Sequence, residues 1–186
     1  MKSNAYGAVA PTAWPKTVRA LHWLTVMVIL ATFALILGRE FLDDDDLQAP
    51  LLQWHRYAGM AAWLITLARI PLRSMADAPD HELGAMARKV SSAVHGLLYL
   101  MLLAMPVIGY LLVCARTGKV DFLGMPLPVL IARNRDLAET IETIHGVIGW
   151  TMLGLIGAHA AAALWHHFFV KDNVLKSMLG SRPRLN

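Results

Sequence analysis

Four long apolar runs divide the chain, at about 18–37, 51–72, 90–113 and 141–169. Each approaches or exceeds the ~20 residues that span a hydrocarbon core as a helix. A helix is also the form in which one segment satisfies all of its own backbone hydrogen bonds inside lipid. The connections at 39–50, 73–88 and 115–140 are rich in charge, glycine and proline, the last containing GMPLP at 124–128. The pattern predicts an all-α fold, an integral membrane four-helix bundle, as a single domain over 1–186 with no internal repeat. After the first run come Gly38, Arg39, Glu40 and an acidic stretch, not a small-residue cleavage site, so that run is expected to be a retained helix and not a signal peptide.

Composition agrees with burial in lipid: 56% of the 186 residues are hydrophobic and 16% charged, against about 25% charged in an average soluble domain. The net charge of +4 changes the picture only through its distribution, because the bases sit in blocks beside the apolar runs. That is a topology signal, and it excludes a nucleic-acid face. Eleven bases (Lys2, Lys16, Arg19, Arg69, Arg73, Arg88, Lys89, Lys171, Lys176, Arg182 and Arg184) fall on one side. Six (Arg39, Arg56, Arg116, Lys119, Arg133 and Arg135) fall on the other. Both termini are therefore expected to be cytoplasmic. The single cysteine, Cys114, allows no internal disulfide and no CxxCH attachment of a c-type haem.

Five of the eight histidines, His22, His55, His95, His145 and His159, lie inside the apolar runs, where an ionisable group is costly and functional by default. Any one alone could be a neutral, hydrogen-bonded core histidine. Their spacing says more. His145 and His159 are 14 residues apart on one run, roughly 21 Å along a helix axis and within about 40° of the same face. His55 opens the second run on the outer side and so can meet His145, while His22 opens the first on the inner side and can meet His159. Two iron sites follow, each with one imidazole on either face of a porphyrin, a ligation that favours electron transfer over oxygen chemistry. Gly59 and Gly149 each follow an outer ligand by four residues and would let a flat macrocycle approach, unless they only tighten helix contacts. His95 is expected to contact a propionate or a quinone, or to bond between helices. His166, seven residues after His159, is the candidate for a second-shell or quinone-side role; His167 reads as interfacial and His81 as solvated.

The segments RALHWL around His22, LLQWHRYAGM around His55, VHGLLYLMLLAMPVIGYLL in the third run, ETIHGVIGW around His145 and GAHAAAALWHHFFVKDNVL around His159 resemble the prokaryotic cytochrome b-561 family. These are small di-haem membrane proteins that include the bacterial superoxide oxidases. The resemblance runs from about 16 to 178. It implies two haem b groups, the outer held by His55 and His145 and the inner by His22 and His159, in a multi-pass protein of the bacterial inner membrane. It implies ubiquinone as electron acceptor and, in the superoxide oxidase members, superoxide as the donor outside. Related histidine patterns occur in subunits that relay electrons from a dehydrogenase or hydrogenase partner to quinone. Arg116, Lys119, Arg133 and Arg135 form a candidate funnel for steering superoxide, with the acidic run Asp43, Asp44, Asp45 and Asp46 opposing it or simply solvated. Arg56 and Arg69 are candidates to pair with haem propionates. A divalent metal transporter is a remote alternative, disfavoured because no Asp or Glu lies within 18–37 or 90–113.

Overall fold

A computed structural model of the chain describes residues 13–79 and 84–180; His81 and the bases Lys2, Arg182 and Arg184 lie outside the described residues. Four long helices dominate: α1 (Lys16–Arg39), α2 (Asp45–Ser74), α3 (Ala85–Thr117) and α4 (Arg135–Trp165). A π-helical turn, His166–Val170, continues α4, and a short α5 (Val174–Leu179) follows. Two of the long helices, α2 and α4, start ahead of their apolar runs on side-chain caps. The Asp44 side chain accepts from the Asp46 amide at 2.9 Å and starts α2, which gives the acidic run a structural task. Asn134 accepts from the Leu137 amide at 3.0 Å and starts α4, with Asp136 in its first turn, as the helix dipole favours. Gly118, at φ 66°, ends α3 by donating to the Cys114 carbonyl.

The segment 115–140, expected as an irregular loop, contains a two-stranded antiparallel hairpin, β1 (Val120–Phe122) with β2 (Met125–Leu127). Its tight turn places Leu123 and Gly124 at φ 54° and 80°, and the Asp121 carboxylate accepts from the Gly124 amide at 3.0 Å. The fold is thus mostly, not purely, helical.

Three helical stretches, Lys16–Arg39, Ala85–Thr117 and Arg135–Val170, are long and apolar enough to cross a membrane. The 30-residue α2 is long enough, but its apolar character is broken by Gln53, His55, Arg56 and Arg69. Large apolar side chains point outward along the three, among them Leu24, Met27, Leu30, Leu100, Val147 and Leu164, as lipid contact requires and water disfavours. Prolines interrupt α2 (Pro50, Pro71) and α3 (Pro106), whereas α1 and α4 have none.

Helices pack as two close pairs, α1 on α2 and α3 on α4, with α2 meeting α3. In contrast, α4 does not pack closely on α1 or α2. At mid-depth apolar side chains of all four meet: Ile29, Ala62, Leu102, Met105 and Met152 form the buried cluster. Met152 stands seven residues from both His145 and His159. An apolar layer therefore separates the levels of the two histidines. At the end where α1 starts, called inner here after the side that the charge count assigns to the cytoplasm, α5 folds back on the start of α1. The Trp14 amide donates to the Ser177 carbonyl at 3.1 Å, the Trp23 indole donates to the Met178 carbonyl at 3.2 Å, and Gly180 lies against Arg19.

Candidate functional site

At the outer level the rings of His55 (α2) and His145 (α4) face one another with centroids 6.3 Å apart and planes at 76°. Two metal–imidazole bonds of about 2 Å, plus about 1 Å from each nitrogen to its ring centre, sum to roughly 6 Å, so this separation suits one iron between the rings. His55 Nδ1 lies 2.9 Å from the Thr32 carbonyl. A carbonyl only accepts, so Nδ1 donates and Nε2 keeps a free lone pair, the tautomer a metal needs. The His145 ring is placed by packing: its Nδ1 is buried without a hydrogen-bond partner, and a Cβ built on Gly109 of α3 would stand 3.3 Å from its Cε1. A Cβ on Gly59 would meet nothing within 4 Å, whereas one on Gly149 would touch the Met105 methyl. Gly59 thus borders open space, while Gly149 is buried against α3.

The inner level gathers more polar groups. His22 (α1) and His159 (α4) have centroids 6.5 Å apart and planes at 75°, again the span of two axial ligands. His95 (α3) is nearer to His159, at 5.0 Å, too close for an iron between them. Its Nδ1 donates to the Ser91 carbonyl at 2.6 Å, which anchors the ring to its own helix. Arg69 (α2), buried, reaches His22 Nδ1 with Nη2 at 2.9 Å. A guanidinium only donates, so in this contact Nδ1 accepts and the proton sits on Nε2. Ligation through Nε2 requires Arg69 to release that nitrogen.

Beyond the outer pair the surface is basic but partly compensated. Arg116 makes a two-point ion pair with Glu142 of α4, and Arg135 pairs with Glu139 at 3.4 Å. Arg116, Arg133, Arg135, Ala138 and Glu139 line a cavity of about 310 Å³. Lys119 is exposed beside the hairpin. Three of the four expected bases, Arg116, Arg133 and Arg135, thus line one cavity, and two of these carry carboxylate partners. Arg56, beside His55, donates to Gln53 at 3.1 Å, with Arg39 and Arg116 close enough to act on it electrostatically.

At the inner mouth the π-helical turn carries His166, whose Nδ1 lies 2.5 Å from Asp172. Asp172 in turn accepts from the Val174 amide and starts α5. Such widened turns recur at functional sites because they displace the helix face by one residue. A cavity of about 390 Å³ lined by His167, Phe168, Lys171 and Lys176 adjoins it.

Sequence reasoning missed Gly109, Thr32, Ser91, Tyr99, Glu142 and Asp172. Glu142, three residues before His145, and Tyr99, four after His95, carried a readable signal, since each shares a helical face with a histidine. Thr32 acts through its carbonyl and Gly109 through what it lacks, so neither leaves a mark in side-chain chemistry.

Comparison with known proteins identifies a family for the chain. The family profile described as prokaryotic cytochrome b561 matches residues 13–181. The chain is 30% identical over 172 residues to cytochrome b561 homolog 1 of Escherichia coli K12, covering 90% of this chain and 97% of that protein. It is 29% identical to cytochrome b561 homolog 2 of the same strain, with 87% and 88% covered. Similarity to the probable superoxide oxidase CybB of Yersinia pestis is 27%, over 86% and 91% of the two chains. Facing histidines at two levels, apolar helices and a match over nearly the whole length lead to one conclusion: the chain belongs to the prokaryotic cytochrome b561 family, membrane proteins of electron transfer that bind haem b.

Proposed function

We propose that this chain is a single-domain, di-haem cytochrome of the bacterial inner membrane that carries electrons from superoxide at the outer face to ubiquinone at the inner. In this reading α2 is the fourth span, its polar residues turned to the bundle interior, and both termini are cytoplasmic. The observation that carries it is the pair of facing histidine couples, 6.3 and 6.5 Å apart, sharing one helix. When bound, each haem supplies an iron that changes by one electron. His55 and His145 hold the outer group and His22 and His159 the inner. The Met152 layer keeps water from the ~21 Å between the two levels. Two superoxide anions give up one electron each and leave as dioxygen, and ubiquinone takes both electrons with two protons to become ubiquinol. His166, held by Asp172, handles protons at the inner mouth.

The test is a visible spectrum and haem count of purified protein with ligand variants. We expect two haems per chain, a reduced b-type α-band on adding superoxide, and its decay on adding ubiquinone. His55→Ala and His145→Ala should each remove one haem and spare the other. Loss of a haem in His95→Ala but not in His22→Ala would overturn the inner pairing.

One observation favours a second reading. The carboxylates of Glu139 and Glu142 neutralise part of the cation cluster and weaken the case for capturing a small anion, which suits a subunit that takes electrons from a dehydrogenase partner and relays them to quinone. A spectrum indifferent to superoxide, with a larger subunit copurifying, would establish it. A metal transporter is disfavoured further, because no three His, Cys, Asp or Glu side chains converge as a metal cage among the described residues.

A further inference from the structure

Arg69 is a buried cation without a counter-charge. It is 8% exposed, and among the described residues no carboxylate pairs with it or with Arg73 one turn on. Its Nε is buried with no hydrogen-bond partner, and so is the hydroxyl of Tyr99. The two residues are neighbours, with the guanidinium carbon 5.4 Å from the centroid of the Tyr99 ring. Two unsatisfied donors beside a buried positive charge are an arrangement that folding alone disfavours. It is balanced by an acceptor-only anion, and the planar guanidinium suits a carboxylate.

Depth identifies which carboxylate. Arg69 follows His55 by 14 residues on α2, the interval that separates His145 from His159 on α4, so Arg69 stands at the level of the inner histidines. Arg73, stacked 3.7 Å over Trp14, lies one turn nearer the inner surface, where lipid headgroups begin. The tautomer argument converges on the same answer: when His22 turns its Nε2 to a metal, Arg69 loses its acceptor at Nδ1 and needs another within reach.

We propose that Arg69 and Tyr99 together clamp one carboxylate of the inner haem, Arg69 by its guanidinium and Tyr99 by its hydroxyl, and so fix how the porphyrin is turned about the His22–His159 axis. This rests on the di-haem reading. Both are positioning residues, and their removal acts on the cofactor's orientation and charge, not on its ligands.

The experiment compares wild type, Tyr99→Phe and Arg69→Lys as holoproteins in nanodiscs, reconstituted with haem carrying ¹³C at its propionate carboxyls. Haem per chain is counted first, the two redox components are titrated at the α-band, and the infrared redox difference spectrum reads the labelled carboxylates. His159→Ala identifies the inner component as the one it abolishes. We expect Tyr99→Phe to keep both haems, to lower the inner component only, by up to about tenfold in its reduction equilibrium or about 59 mV for one electron, and to shift its labelled carboxylate band. Arg69→Lys, which keeps the charge but not the fork, should shift the same band. Two haems with an unmoved band and potential in Tyr99→Phe would overturn the clamp. So would an effect that appears only with anionic lipid in the disc, because the anion would then be a lipid phosphate. Fewer than two haems in wild type would defeat the di-haem reading itself, before the variants are compared.

Discussion

A missing side chain sets the place of His145. With Gly109 only 3.3 Å from its ring edge as a virtual Cβ, even one added carbon has to displace either the imidazole or α3. Overpacking of this kind costs about 1–3 kcal/mol, and under the di-haem proposal Gly109→Leu is expected to lower haem content from two per chain to one, read by pyridine haemochrome. Gly59→Ala provides the contrast: no protein atom lies within 4 Å of its added Cβ, so a loss of haem in that variant would report a macrocycle beside it. The histidines themselves were legible in the sequence, because five imidazoles inside apolar runs have no bland collective explanation. Their supports were not. The carbonyl of Thr32 and the absent Cβ of Gly109 act only in three dimensions, and Arg69 was visible as a candidate propionate partner while its contact with His22 was not.

For the helices, register carries the function. One alanine inserted between His145 and His159, beside Gly154, turns the second histidine by about 100° away from the first. We expect such a chain to retain a single haem, with one redox component left in a potentiometric titration. The short α5 matters in a different way, since it ties the inner end together through the Trp23 bond to Met178. Trp23→Phe removes a hydrogen bond worth about 1 kcal/mol, and heat should release haem from that variant a few degrees earlier than from wild type. Apolar length made α1, α3 and α4 readable as spans. The run at 51–72 reads as a span on the same ground, yet α2 is not among the helices apolar enough to cross, because Gln53, His55, Arg56 and Arg69, which would suit it to a redox site, are those that spoil its hydropathy. The hairpin escaped notice because its turn is built on Leu123 at positive φ and not on the Asn-Gly or Asp-Gly pair that announces such turns.

Across the whole molecule, the balance of outer charges separates the two functional readings. Glu142→Gln frees Arg116 from its ion pair, and if superoxide is the donor, its reaction should quicken several-fold at low ionic strength. The gain should fade once salt shortens the screening length to a few ångströms. Stopped-flow reduction at two salt concentrations measures both effects; a rate untouched by the substitution would point to a docked protein as the source of electrons. The sequence showed the bases of this surface but not their partners, since the pair of Arg116 with Glu142 joins positions 26 apart. The unbroken α4 has one more consequence. Because a proline-free rod bears both His145 and His159, in the di-haem reading it would serve as a ruler: the interval between the redox centres would be set by peptide geometry and not by how tightly the bundle is assembled. Loosening α1 or α2 with detergent or heat would cost occupancy, one centre at a time, yet the tunnelling distance in every chain that keeps both would stay the same.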